Sequence, residues 1–516
     1  MHASEWYLSA DERGNPATRL DARHTGSVAW TEGNLVRPLI HGATYFAELA
    51  GRIADLQAGD LLMFADWRGD PDERLMGTAD SEIGRMLAAA ARRGVDVRGL
   101  VWRSHLDRLA FSSAENRHLG EEVNAAGGQC VLDMRVRVGG SHHQKLVVLR
   151  HPGRPERDIA FLGGIDLCHS RRDDASHEGD PQAQSMAAVF GPRPPWHDVQ
   201  LAITGPAVGD VETTFRERWE DPQPPSRSPL RWAADRLRRD QPTTTALPPQ
   251  LPDPAPGGPH PVQLLRTYPR RLGGYPFAPQ GERSVARGYT KAIGRARHLI
   301  YVEDQYLWSQ AVGRAFAQAL ARNPGLRLIA VLPHFPDQDG RISKPPNLIA
   351  RQRVIQELRE AAPGRVSFYG LENASGTPVY VHAKVCVIDD QWASVGSDNF
   401  NRRSWTHDSE VSAAVCDAAY ARELRATLAR GHLGRARAGD EAPDREDAFD
   451  AFAAAAANLQ QWHDSGRGVG PRPPGQLRPI TRQPQSRLTR AWATALYRLV
   501  YDPDGRPLRL RATGSL

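Results

Sequence analysis

Two long stretches of this chain carry the same succession of hydrophobic patterns. Each opens on an amphipathic, helix-spaced segment and passes into a short, continuously apolar run: GDLLMFADW (59–67) in the first, RHLIYVEDQYL (297–307) in the second. A further helical pattern leads to VDVRGLVW (95–102) and LRLIAVLP (326–333). Then come HHQKLVVL (142–149) and VHAKVCVI (381–388), followed by IAFLGGIDL (159–167) and WASVGSDNF (392–400). Each stretch ends in a strand pattern running into a helix, HDVQLAITGPAVGDVETTFRERW (197–219) and DSEVSAAVCDAAYARELRATL (408–428). Apolar runs of strand length alternating with helical spacing predict α/β units, and the repetition predicts two similar lobes. The expected fold class is therefore α/β, with two tandem lobes of mixed sheet flanked by helices. A pseudo-two-fold relation would bring equivalent residues face to face, with a shared site at the lobe interface.

The polar and proline-rich segments divide the chain. Residues 221–261 contain DPQPPSRSP and LPPQLPDPAPGGPHP, which can continue neither a helix nor a central strand and predict a linker. RWAADRLRRD (231–240) inside it carries a short helical pattern. The expected organisation is an N-terminal lobe over 1–220, the linker, a C-terminal lobe over 262–435 and an extension over 436–516. In the extension, Trp492, Leu496, Leu499 and Val500 recur at helical spacing, the pattern of a helix docked on the body.

Composition narrows the class only a little. A chain of 516 residues with 40% hydrophobic and 24% charged content is globular, and a net charge of +6 favours anionic partners without choosing among them. No apolar stretch reaches the roughly 18 residues of a membrane span. The N-terminus lacks a basic region followed by an apolar core, so the sequence as given predicts a cytoplasmic or peripheral protein. Cys130, Cys168, Cys386 and Cys416 form no CxxC pair.

Lysine usage is sharper. Only Lys145, Lys291, Lys344 and Lys384 occur among 66 basic residues, and two of the four stand two places after a histidine. His143/Lys145 and His382/Lys384 occupy matching positions in the repeat. Placed on a strand, positions i and i+2 face the same way, so each lobe offers an imidazole beside an ammonium. The apolar runs that follow put these polar pairs at a strand end or on a cleft floor. Two lysines suit the charge of a phosphodiester and its transition state. One imidazole can attack phosphorus, and the other can protonate the leaving oxygen and then activate water or an alcohol.

Such histidines need carboxylates on their far ring nitrogens. Asp198 and Glu410 lie at matching places in the repeat, with Asp408 as a rival to Glu410. The turn after each His strand supplies Asp166 and Asn399 with Gly163, Gly164, Gly396 and Ser397. Of these, Asp166, Asn399, Gly164 and Ser397 are the candidate phosphate-binding residues. Glu303 and Asp304 could contact a head group or cap a strand, and His142 should face away from His143. No set of residues has metal-ligand spacing, so neither a metal nor another cofactor is expected.

The pattern His382-x-Lys384-x4-Asp389 resembles the HKD motif of the phospholipase D superfamily, and GSDNFNRRS (396–404) is similar to the segment that follows it there. HHQKLVV, FLGGIDLCHSRRDD, PPWHDVQLAITGPA, VQLLRTYP, IYVEDQYL and DSEVSAAV resemble true phospholipase D enzymes over most of residues 30–430. The resemblance implies hydrolysis or alcohol exchange at phosphatidyl esters such as phosphatidylcholine, through a covalent phosphohistidine. It implies His143 as nucleophile, His382 as acid/base and Asp389 as a structural residue. The implied partners are a phospholipid at a membrane surface and water or an alcohol, with no nucleic acid and a monomeric chain. The first motif departs from the pattern, with Arg150 in the Asp position and Asp158 as a possible replacement. Alternative readings are a phosphatidyl transferase of the cardiolipin-synthase type, a nuclease-like phosphodiesterase and a catalytically weak lipid-binding protein.

Overall fold

The computed structural model describes residues 2–24, 28–104, 113–225, 244–340, 342, 344–435, 441–466, 470–481, 483 and 485–513. Eighteen strands are assigned among them. They are β1 (Thr31–Ile40), β2 (Leu61–Asp66), β3 (Asp96–Trp102), β4 (Gln129–Asp133), β5 (Leu146–Arg150), β6 (Ile159–Gly163), β7 (Trp196–His197), β8 (Val199–Thr204) and β9 (His260–Tyr268). The others are β10 (Glu282–Arg283), β11 (Leu299–Asp304), β12 (Arg327–Val331), β13 (Val366–Glu372), β14 (Pro378–Val381), β15 (Lys384–Ile388), β16 (Trp392–Gly396), β17 (Glu410–Val415) and β18 (Leu477–Pro479).

The repeat in the hydrophobic pattern is a repeat in topology. The first sheet runs β4-β3-β2-β5-β6-β8-β1, parallel from β4 to β2 and antiparallel thereafter. The second runs β13-β12-β11-β15-β16-β17-β9 with the same directions in the same order. β1 and β9 pair antiparallel, so the two equivalent edge strands join the sheets.

Both sheets bury both faces, which is why the strands read as unbroken apolar runs. In the second sheet Tyr301, Val385, Val387 and Val395 face one core while Ile300, Val302, Cys386 and Ile388 face another. In the first, Met63, Val148 and Leu162 share the core with Tyr301, and Phe64, Val147 and Phe161 point to a separate outer core. The common core therefore lies between the lobes. It includes Val208, Val211 and Phe215 of the helix Ala207–Trp219 and Leu424 and Leu428 of the helix Ala418–His432. The four cysteines are buried and stand in no disulfide among the described residues, and no helix among them is long and apolar enough to cross a membrane.

Two expectations are corrected. The described part of the Pro-rich segment is packed rather than free: the Pro248 and Pro252 carbonyls accept hydrogen bonds from Arg216 and Arg150, and β9 begins at His260, inside the expected linker. RWAADRLRRD lies outside the described residues. In the C-terminal helix Arg487–Leu496, Trp492 is exposed, as are Leu499 and Val500 beyond it. The docking contacts come instead from Ala493, which is buried, and Tyr497, whose hydroxyl donates to the Trp308 carbonyl at 2.9 Å.

Candidate active site

The His-x-Lys segments sit at the entrance of their strands rather than within them. His143 and Gln144 precede β5, and His382 and Ala383 fill the gap between β14 and β15. This frees the histidine backbone to pair with the opposite lobe. His143 N donates to Ser409 O at 2.9 Å, and His382 N donates to His197 O at 2.8 Å. β7 and β14 run parallel across the interface, and His142 and Ser409 form the matching bridge on the other side.

That crossing delivers each carboxylate to the other lobe's imidazole. His143 Nδ1 is 2.9 Å from Glu410 Oε2, and His382 Nδ1 is 2.6 Å from Asp198 Oδ2. Asp408, the rival acid, instead pairs with Arg403 at 2.6 Å and accepts from the Ser141 amide. With Nδ1 committed to a carboxyl, Nε2 of each ring is the nitrogen left for chemistry. Trp196 packs on His382 with ring centroids 4.9 Å apart, and the Arg171 guanidinium lies over the Trp196 ring at 3.9 Å. Trp67 stands edge-on to His143 at 6.1 Å.

The lysines are held by backbone and acids. Lys145 Nζ donates to the His143 carbonyl at 3.1 Å and pairs with Asp166 Oδ1 at 3.2 Å. Lys384 Nζ donates to the His382 carbonyl and reaches Gln305 Oε1 at 3.5 Å.

Burial dominates the electrostatics. Loss of solvent, followed by the two lysines, pushes His143 well below the ordinary imidazole value. Loss of solvent, then Lys384 and Arg171, does the same to His382. Burial raises Asp198, and burial with Asp408 lifts Glu410 to about 8. Burial thus disfavours the ion-pair form of each imidazole–carboxyl pair. Burial also brings Lys384 down to about 8.

Three expected phosphate-binding residues make close contacts within the protein. Asp166 is a buried acid whose partners are Lys145 and, at 3.7 Å, Arg171; an anion of this kind orients cations and repels phosphate. A Cβ on Gly164 would stand 2.2 Å from Asp198 Oδ1, so this glycine makes room for the carboxylate of the His382 pair. Ser397 Oγ donates to Glu410 Oε2 at 2.5 Å and so positions that acid. Asn399 is buried, and its Oδ1 has no hydrogen-bond partner.

The remaining residues have structural roles. Asp389 accepts the amides of Arg297, His298 and Leu299 at 2.7–2.8 Å and ties β15 to the start of β11. Arg150, at the matching place, donates to Asp158 at 2.8 Å and to Glu212 of the helix Ala207–Trp219. Asp158 also takes the His151 amide. Of the two roles open to Glu303 and Asp304, the internal one holds. Asp304 accepts the amides of Tyr306, Leu307 and Phe400, and Glu303 accepts from His197 and His432. His142 is fully buried, a packing residue.

Arg171, Trp67, Trp196 and Gln305 were not singled out from the sequence. Arg171 and Gln305 lie within HSRRDD and EDQYL, where only their nearness to the motif residues marked them. The absence of metal-ligand spacing along the chain also proves a poor guide to space. His41, His177 and His197 bring one ring nitrogen each within 4.8 Å of one another, and ring nitrogens of His197 and His432 gather likewise with a carboxylate oxygen of Glu303.

Two family models match the chain, phospholipase D over residues 57–244 and the cardiolipin synthase, PLD-like domain over 289–431, one on each lobe. The chain belongs to the phospholipase D superfamily. Within that superfamily it is 24% identical over 484 residues to phospholipase D alpha 1 of Cynara cardunculus, covering 70% of this chain and 58% of that relative. It is 26% identical to phospholipase D alpha 2 of Oryza sativa subsp. japonica, with 69% and 57% covered. The chain thus spans little more than half the length of these relatives. The fold is similar to that of phosphatidylserine synthase from Haemophilus influenzae Rd KW20, with a TM-score of 0.52 at 13% identity over 90% of this chain and 94% of that one.

Proposed function

We propose that the protein is a phospholipase D-type phosphodiesterase that converts glycerophospholipids such as phosphatidylcholine to phosphatidic acid. The observation that carries this reading is the crossed pairing of His143 with Glu410 and His382 with Asp198, flanked by Lys145 and Lys384. In the first step His143 Nε2 attacks phosphorus. The P–N bond forms, the P–O bond to the head-group alcohol breaks, and that oxygen takes a proton from His382. In the second step water gives a proton to His382 while its oxygen attacks phosphorus, releasing His143 and phosphatidic acid. The negative phosphate favours the protonated form of His382 that the first step needs. Asp198 and Glu410 hold the rings in place, and the lysines offset the charge on the non-bridging oxygens.

A small pocket is lined by Gln305, Tyr306, Trp308, Phe335, Asp337 and Tyr380. Its aromatic walls suit the small alkylammonium of a head group. Phosphatidyl transfer is a second reading, favoured by the cardiolipin synthase-type match on the C-terminal lobe. Both share one intermediate and differ only in the acceptor.

Incubation with phosphatidylcholine and ethanol tests the proposal. Formation of phosphatidic acid and phosphatidylethanol is expected, together with an acid-labile phosphoenzyme mapped to His143. Inertness toward phospholipid, or cleavage of DNA alone, would overturn it.

A further inference from the structure

Four imidazoles and one carboxylate converge behind the site, and the mechanism uses none of them. His197 is the central member, 1% exposed and adjacent in sequence to Asp198. Its Nε2 lies 2.6 Å from Glu303 Oε2, and its remaining nitrogen, Nδ1, is buried without a hydrogen-bond partner. The second acceptor oxygen of Glu303 takes His432 at 2.7 Å, so the group formed by His197, Glu303 and His432 is already satisfied internally. The group formed by His41, His177 and His197 is not. His41 Nδ1 is also buried and unpartnered. His177 Nδ1 is directed to the Trp196 carbonyl at 3.1 Å, which leaves its Nε2 as an acceptor. The His41 ring lies 4.8 Å from His177 and 5.2 Å from His197, centroid to centroid.

We propose that His41, His177 and His197 form a structural zinc site, independent of the catalytic imidazoles. Three neutral imidazoles match the preference of Zn²⁺ for nitrogen ligands in a tetrahedral set, with the fourth place left for water. The outer contacts are those that metal-bound histidines use: a carboxylate on the far nitrogen of His197 and a backbone carbonyl on that of His177. Unpartnered, the buried nitrogens would each carry a desolvation cost, which a metal removes.

The site would also fasten three separate segments. His41 has φ 69°, a conformation that side-chain-bearing residues avoid, and its amide donates to the Asp198 carbonyl at 2.9 Å. His177 lies in the loop held by Asp173, which accepts the Trp196 amide at 2.7 Å. Zinc would therefore lock the turn before the helix Gly42–Ala54 and this loop to β7, the strand that leads into Asp198.

Zinc titration of the full chain, stripped with chelator and followed by metal analysis and thermal unfolding, tests the proposal. One equivalent should bind and raise the midpoint by roughly 3–6 °C. Co²⁺ should give the visible absorption of a tetrahedral complex. His41→Ala and His177→Ala should each weaken zinc binding at least about tenfold, and the double variant His143→Ala/His382→Ala should leave it unchanged. Failure of the wild-type chain to bind stoichiometric zinc would overturn the site. So would zinc affinity that survives both outer substitutions or disappears with the catalytic pair. None of these readouts depends on turnover, so they stand apart from the test of phospholipase activity.

Discussion

His382 Nδ1 lies 2.6 Å from Asp198 Oδ2, across the lobe interface and 184 residues away in the chain. The same relation, reversed in order, joins His143 to Glu410 at 2.9 Å. Each half-site is completed by the lobe that does not contain it. A lobe with its own His-x-Lys segment alone would leave its imidazole unoriented. Asp198→Asn and Glu410→Gln keep the shape of each acid and remove its capacity to hold the ring tautomer. Each should lower kcat by about 10²–10⁴-fold with little change in KM. Steady-state head-group release checks this, and near-normal turnover in either variant would sink the crossed-pair assignment.

The two histidines should be separable by trapping. His143→Ala should abolish both turnover and the covalent intermediate. His382→Ala should also stop steady-state turnover, yet a substrate with a good leaving group should still phosphorylate His143, since no proton need be supplied to it. Mass mapping of the labelled peptide reads the result, and label on His382 would reverse the roles.

Lys384 gives the alkaline limb of activity. Burial lowers its ammonium from the ordinary 10.5 to about 8, so its charge is lost as pH rises through that value. A rate profile with a descending midpoint near pH 8 is expected, and in Lys384→Arg a slower enzyme lacking this limb. Glu410 acts on stability. Its raised value of about 8 means that the folded chain keeps a proton released by the unfolded chain above about 4.5. This contribution is fully present below that pH and is lost as pH climbs toward 8. Glu410→Gln should therefore flatten the stability profile between pH 5 and 8 in denaturant titrations.

Gly164 tests how tightly the acid is seated. An added methyl would meet Asp198 Oδ1 at 2.2 Å. Gly164→Ala should displace the carboxylate from His382 and reduce kcat at least about tenfold while the chain still folds. Unaltered kinetics would show that the Asp198 side chain tolerates another position.

Arg150 stands where the C-terminal lobe has Asp389, and its charge is taken up within its own lobe. It is fully buried and satisfied by Asp158 and Glu212. Arg150→Ala would strip Asp158 of its buried guanidinium partner and leave Glu212 to Arg216 alone, at a cost of about 3–5 kcal/mol. Urea unfolding should register that loss, whereas the activity of the remaining folded fraction should match the parent.

The lobes themselves were legible because strand and helix periodicities are local. The run LVVL after Lys145 and VCVI after Lys384 predict buried strands wherever the rest of the chain goes, and β5 and β15 lie there. The acids at Asp198 and Glu410 were legible through the repeat, since two equivalent positions in equivalent lobes must fall symmetrically about one axis. The C-terminal helix misled for the opposite reason. Its apolar spacing fixes a stripe but not which neighbour covers it, and Tyr497 rather than Trp492 meets the body.

What sequence alone determined was thus the doubled α/β pattern, the histidines, lysines and acids of the centre, and the chemistry open to them. Tertiary structure decided who partners whom. It set Asp166 beside Lys145 as a counter-ion and made Gly164 the space for the Asp198 carboxylate. His41, His177 and His197, scattered over three segments, became neighbours. Periodicity constrains the direction in which a side chain leaves its own element, whereas contacts between elements depend on how the sheets close on their common core, and no local pattern encodes that distance.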